Sequence, residues 1–166
     1  MAISIYSVTV PVLTRQLTAL ARILDKAEAY AAERKFSADV YVDARLAPDM
    51  HPLKFQIQSA SDHAKFIAAR LSGKTPPSWP DEEKSFADLK ARVAKALDYL
   101  KGFTEADLTG GDERDVVQRI GGKEVTIKGD AYLLNRALPN FWFHVTTAYD
   151  ILRHNGAPVG KGDFLS

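Results

Sequence analysis

The side chains best suited to chemistry in this sequence are four histidines, His51, His63, His144 and His154. An imidazole titrates near pH ~6.5 and offers a ring nitrogen either as a base or as a metal ligand. The chain has no cysteine, which excludes disulfides, thiolate metal sites, iron–sulfur clusters and a cysteine nucleophile. Ala148 stands four residues after His144 and Ile67 four residues after His63, so there is no His-x-x-x-His pair. A metal would need ligands from several separate elements, with Asp49 and Asp62 as candidate oxygen donors. No Gly-x-Ser-x-Gly elbow and no glycine-rich phosphate loop occurs. Gly110-Gly111 and Gly121-Gly122 read as turns.

The elements that must position these groups follow from hydrophobic spacing. Ile3, Tyr6, Val10, Leu13, Leu17, Leu20, Leu24 and Ala27 alternate steps of three and four, which predicts one stripe of a helix ending near Ala32. Pro11 lies within it and must kink the helix or mark its true first turn. A loop over residues 36–50 leads to a second helix, with Pro52 in its first turn and the stripe Leu53, Ile57, Ala60, Ala64, Ile67 and Leu71, closed by Gly73. Asp81, Glu82 and Glu83 are expected to open a third helix, where carboxylates suit the positive end of the dipole. Its stripe is Phe86, Leu89, Val93, Ala96, Leu97 and Leu100. Two β-prone runs, Val116-Val117-Gln118-Arg119-Ile120 and Lys123-Glu124-Val125-Thr126-Ile127, flank Gly121-Gly122 and predict a hairpin with a primed turn. The last helix is expected to be capped by Asp130. It carries Leu134, Leu138, Phe141, Val145, Ala148 and Leu152, restarts near Leu138 because of Pro139, and stops at Arg153-His154-Asn155-Gly156. The tail from Ala157 reads as loop.

These elements make an all-α, four-helix bundle over one domain, residues 1–166, with a small β-hairpin insertion before the last helix. The long connection between the first two helices permits a crossover. At 100° per residue, His144 lies about 60° from Phe141 and about 40° from Ala148, on the flank of its stripe. His63 lies about 60° from Ala60, and Gln56 and Ser59 share or approach that flank. The four could converge in a polar pocket between helices two and four. The competing structural reading is a half-buried histidine bonded to a carbonyl or water. His154 suits the negative end of its helix as a cation, and His51 is a rim residue. Phe141-Trp142-Phe143 with Tyr149 reads as core and pocket wall, or as an aromatic-lined small-molecule site.

Lysine plus arginine number 22 and aspartate plus glutamate 21, for a formal net charge of +1. No electrostatic case arises for nucleic acid or an anionic membrane. No stretch approaches the ~20 apolar residues of a membrane span, and the segment from Met1 to Leu13 lacks the basic start of a signal peptide. A cytoplasmic protein is expected.

Two segments carry a family resemblance. One is Arg45-Leu46-Ala47-Pro48-Asp49-Met50 leading into Pro52-Leu53-Lys54-Phe55-Gln56-Ile57-Gln58. The other is Pro139-Asn140-Phe141-Trp142-Phe143-His144-Val145-Thr146-Thr147-Ala148-Tyr149, running on to Leu152-Arg153-His154-Asn155-Gly156. They resemble an uncharacterised bacterial domain-of-unknown-function family within the DinB/YfiT-like superfamily of four-helix metalloenzymes. The resemblance implies a four-helix bundle, often dimeric. It also implies a nickel or zinc ion held by one histidine of helix two and a His-x-x-x-His pair of helix four, and in some relatives thiol-dependent transfer chemistry. His144 matches the first histidine of that pair, Ala148 stands at the second, and the helix-two position falls near Ser59, with His63 one turn later.

The expected function is therefore a small-molecule-binding or metal-dependent, transferase-like enzyme with a degenerate histidine site between helices two and four. His144 is the candidate base. His144 and His63 are the candidate ligands of a divalent metal such as zinc or nickel, and Gln56, Ser59, His63, Trp142 and Tyr149 are the candidate substrate contacts. The alternative is a non-catalytic homodimeric binding or scaffold protein that has lost the metal site.

Overall fold

The computed structural model describes residues 3–166, with Ile120 by its backbone alone. The first two residues of the opening segment lie outside the described residues. Four long helices form the bundle: α1 (Val10–Glu33), α2 (Leu53–Leu71), α3 (Phe86–Leu100) and α5 (Leu138–His154). Between α3 and α5 come the strands β1 (Asp115–Ile120) and β2 (Lys123–Lys128) and a single turn, α4 (Gly129–Tyr132). A short α6 (Lys161–Leu165) ends the chain. α2 packs between α3 and α5, while α1 sits across from it against α3. The connection from α1 to α2 is thus a crossover, pinned by the buried Tyr41 and Val42.

The core is built from the expected stripes. Leu13, Leu17, Leu20, Leu24 and Ala27 of α1, Leu53, Ile57, Ala60, Ala64 and Ile67 of α2, Phe86, Leu89 and Val93 of α3, and Phe141, Val145 and Ala148 of α5 are all buried. Each such aliphatic or aromatic side chain contributes about 1.5–3 kcal/mol when fully removed from water.

The ends of the elements depart from expectation in ways that local chemistry explains. α1 starts at Val10, not upstream, and Ile3 is 82% exposed. Pro11 occupies the first turn, where its missing N–H is not needed. α3 is opened by Ser85 and Asp88 in a reciprocal capping box, not by Asp81, Glu82 and Glu83. Asp130 lies inside α4, whose N-cap is Lys128. Residues 133–137 form a π turn in which the Leu138 N–H bonds the Leu133 carbonyl, five residues back. Pro139 has no N–H to extend an ordinary ladder. The wider turn shifts the phase, so Leu133 is buried and the expected core residue Leu134 is 62% exposed. The tail folds back as α6 on α1, tied by Lys26 to Asp163.

The hairpin pairs Val116 with Ile127 and Ile120 with Lys123. Gly121 (φ 57°) and Gly122 (φ 81°) both take the left-handed conformations that a type I′ turn needs. At the hairpin's exit the chain passes Gly129, where a Cβ would lie 1.8 Å from the Gly111 carbonyl oxygen, so only glycine allows that crossing.

The acidic run has a different role from the expected one. The Arg92 guanidinium, on the core-facing side of α3, bonds Glu83 (2.8 Å), Asp81 (3.1 Å), Asp62 (2.9 Å) and the Pro80 carbonyl (2.9 Å). Lys65, 2% exposed, also bonds Asp62 at 2.8 Å. Lys65, Arg92 and Lys95 surround the ring of Trp79 at 4.4, 5.4 and 5.0 Å. These contacts fasten the proline-rich connection, residues 72–85, across α2 and α3. Arg92→Ala would leave Glu83 without its buried cation and Asp62 with Lys65 alone. It is expected to lower unfolding stability by about 3 kcal/mol in urea titration; a loss under about 1 kcal/mol would contradict that role.

Candidate functional site

Gln56, His63 and Arg70 are spaced by seven residues along α2, so each lies only about 20° around the helix from the last. This polar row faces α5. Opposite Gln56 stands His144, whose Nδ1 lies 2.8 Å from Gln56 Oε1. The other end of the amide is fixed, because Gln56 Nε2 donates to the His51 carbonyl oxygen at 3.0 Å. An amide oxygen only accepts, so His144 Nδ1 must carry the proton. The neutral ring is held in its Nδ1–H form, and the lone pair is left on Nε2.

The His63 and His144 rings stack at 5.6 Å with an interplanar angle of 14°. Phe55 and Phe143 approach the His144 ring edgewise at 5.9 and 5.4 Å, and His51 lies on Phe55 at 4.0 Å. Both His63 and His144 are half-buried, so a molecule entering the α2–α5 seam can reach them. Burial, reinforced by the neighbouring His63 and His51, pushes His144 down to about 4. Burial lowers His63 as well; Asp62 opposes this and the Arg70 charge adds to it. Both rings are uncharged near neutrality.

Beside His63 opens a cavity of about 150 Å³, lined by His63, Arg70, Gln118, Tyr132, Arg136, Ala137 and Asn140. The π turn supplies Arg136 and Ala137, and β1 supplies Gln118. Tyr132 is 1% exposed, and its hydroxyl accepts from Arg70 at 3.3 Å. Burial pushes the Tyr132 phenol up despite the nearby Arg70 charge, so it keeps its proton.

The other expected contacts are distributed differently. Ser59 is half-buried on α2 between Gln56 and His63. Trp142 and Tyr149 do not join the histidines. They hold Phe164 of α6, with ring centroids 6.4 and 5.9 Å away. The reason is phase: they lie on the side of α5 turned toward α1 and α6. His154 is exposed in the last turn of α5, and His51 is exposed beside Phe55. Asp62 is not free to act as a ligand, being engaged by Arg92 and Lys65. Arg70, Arg136, Gln118, Tyr132 and Asn140 were not expected. The seven-residue step from His63 to Arg70 carried a signal for the first of these; the cavity depends on the hairpin and π turn, which spacing does not reveal.

The donor set does not fit the metal implied by the resemblance. His63 and His144 are two nitrogen ligands, Ala148 replaces the third, and Gln56 already occupies His144 Nδ1. Among the described residues no group of three or more histidine, cysteine, aspartate or glutamate side chains is placed to hold a metal ion. A catalytic zinc centre ordinarily takes three protein ligands.

The helical bundle with a small hairpin before its last long helix is a DinB-like fold. The family described as a domain of unknown function (DUF1993) matches residues 5–165, and the chain belongs to that family. A crystal structure of a DinB family member protein from Shewanella denitrificans is 43% identical. The match covers 97% of this chain and 91% of that one, with a TM-score of 0.90. No curated protein matches the chain. No helix among the described residues is long and apolar enough to cross a membrane.

The lowered histidines make stability depend on pH. Unfolded, His144 titrates near 6.5; folded, near 4. Its neutral burial therefore contributes fully above pH 6.5, and that contribution is lost as pH falls through the interval to about 4, because the unfolded chain takes up the proton first. Thermal melts from pH 7.5 to 4 should show Tm falling more steeply in the wild type than in His144→Gln. Parallel curves would contradict the neutral, buried assignment.

Proposed function

We propose that this DinB-like chain binds a small molecule at the α2–α5 seam and that His144 acts there as a general base, without a metal ion. The observation that carries the reading is the fixed Gln56 amide, which holds the proton on His144 Nδ1 and presents Nε2 unprotonated. An imidazole oriented through its other nitrogen is the usual arrangement of a histidine that accepts a proton from a substrate. A base near 4 is weak. A ligand that brings negative charge beside the ring would raise it and strengthen its pull on a proton. His63 stacks on the same ring and lines the neighbouring cavity, so it contacts the ligand, while Gln56 positions the base. The reading takes residues 1–166 as one domain and places it in the cytoplasm, in keeping with a sequence free of cysteine.

Ligand-observed NMR with a panel of small polar metabolite-like molecules tests this, together with elemental mass spectrometry of the untagged protein. Expected are ligands that perturb the His63 and His144 ring resonances and bind about tenfold more weakly to His144→Ala, with metal far below one equivalent in both proteins. Unchanged ligand binding in His144→Ala, or near-stoichiometric metal in the wild type that His144→Ala loses, would overturn the reading.

A second reading, a homodimer assembled through an apolar surface, is favoured by one feature. The exposed Ile3 and Leu134 flank an apolar pocket of about 610 Å³ that also includes Ile5, Val8 and Leu133. Such surfaces often mark association sites. Sedimentation at micromolar concentration should then give a dimer that Leu134→Asp converts to monomer; a wild-type monomer removes this reading.

A further inference from the structure

The cavity beside His63 has a marked chemical bias. Two arginines, Arg70 and Arg136, line it together with Tyr132, Gln118, Asn140, Ala137 and His63, and no acidic residue does. Among the described residues neither arginine has a carboxylate within ion-pair distance. Asp62, the acidic side chain next to His63 in sequence, is engaged by Arg92 at 2.9 Å and Lys65 at 2.8 Å on the other flank of α2.

Arg70 is held in place by its side chain and Arg136 by its backbone. Arg70 lies over the Phe66 ring at 4.5 Å and the Tyr132 ring at 5.6 Å, and it donates to the Tyr132 hydroxyl. The backbone that carries Arg136 is fixed by Asn140, whose Nδ2 donates to the Arg136 carbonyl at 2.6 Å. One positioned cation and a second, exposed one on the lining of a polar hollow, with no carboxylate in its lining, favour something negative there. Planar guanidinium groups match the paired oxygens of a carboxylate or phosphate better than any other common group.

We propose that this cavity is an oxyanion site, taking the carboxylate or phosphate group of a small molecule between Arg70 and Arg136. Its volume of about 150 Å³ suits one such group, not a whole cofactor. The remainder of the ligand lies out over His63 toward His144. The proposal rests on the seam being a ligand site and names the class of ligand: small acids or phosphate esters, anchored by the charged end.

Inorganic phosphate and acetate, titrated separately into ¹⁵N-labelled protein at constant ionic strength, test it and distinguish the two sources. Saturable shifts of the Arg70 and Arg136 Nε–H resonances are expected with at least one anion. Arg136→Gln should weaken that binding about tenfold, and Arg136→Lys should restore part of it. Arg136 is exposed, so its variants keep the fold and decide the matter even if Arg70→Gln does not fold. His144→Gln should leave anion affinity within about twofold, since the ring does not line the cavity, so a failure of the base reading would leave the anion site standing. Linear, non-saturating shifts with both anions, or equal affinity in wild type and Arg136→Gln, would overturn the proposal.

Discussion

A single side-chain amide holds the α2–α5 seam together. Gln56 is 2% exposed, and a buried amide left unpaired costs about 1–3 kcal/mol for each unmet group. Both of its ends are met, one by the His51 carbonyl at the end of the crossover loop and one by His144 on α5. The end of the crossover loop, α2 and α5 are thereby held in one register, with Gln56 and His144 88 residues apart in sequence. The same bond that satisfies the amide chooses the tautomer of the histidine. A group that looks like packing therefore sets the chemistry of the ring beside it.

The two flanks of α2 divide the polar work. On one flank, Asp62 and Lys65 join Arg92, Asp81 and Glu83 in an ion network that anchors the proline-rich connection. Burial alone would raise the Glu83 carboxyl, but hydrogen bonds from Gln58 and the backbone, with the Arg92 charge, hold it below its ordinary value and keep the network ionised. On the other flank, Gln56, His63 and Arg70 face α5, the π turn and the hairpin. Because the acidic side chains are consumed on the first flank, the second is left with neutral imidazoles and unpaired arginines. The π turn next to Pro139 adds Arg136 to that side; π turns recur at functional positions because they displace side chains from the regular helical phase.

Helical periodicity carried most of the fold. The stripes of α1, α2, α3 and the later part of α5 are read directly from steps of three and four, and Gly121-Gly122 marks the hairpin turn. The elements that spacing misplaced each depend on a tertiary partner or a local irregularity. Ile3 and Tyr6 continue the α1 period but precede its true start, Leu134 falls out of phase at the π turn, and Asp81 and Glu83 serve Arg92 instead of a helix end. At the site, flank positions correctly aligned Gln56, His63 and His144. Trp142 and Tyr149 were legible as an aromatic pair but not as the seat of Phe164, because α6 has no periodic signal in five residues. A charged residue such as Arg92 on an apolar stripe was a visible sign of a buried network, and the step of seven to Arg70 was a sign of the cavity.

The protonation pattern of His144 tests the central claim most directly, through long-range ¹H–¹⁵N correlation of the imidazole nitrogens at pH 7. A neutral ring held by Gln56 should show Nδ1 in the protonated, pyrrole-type shift range and Nε2 in the unprotonated range. In Gln56→Leu the two should move toward the averaged values of exchanging tautomers. A His144 ring in the Nε2–H form, or one charged at neutral pH, would contradict the role assigned to Gln56 and with it the base at the seam.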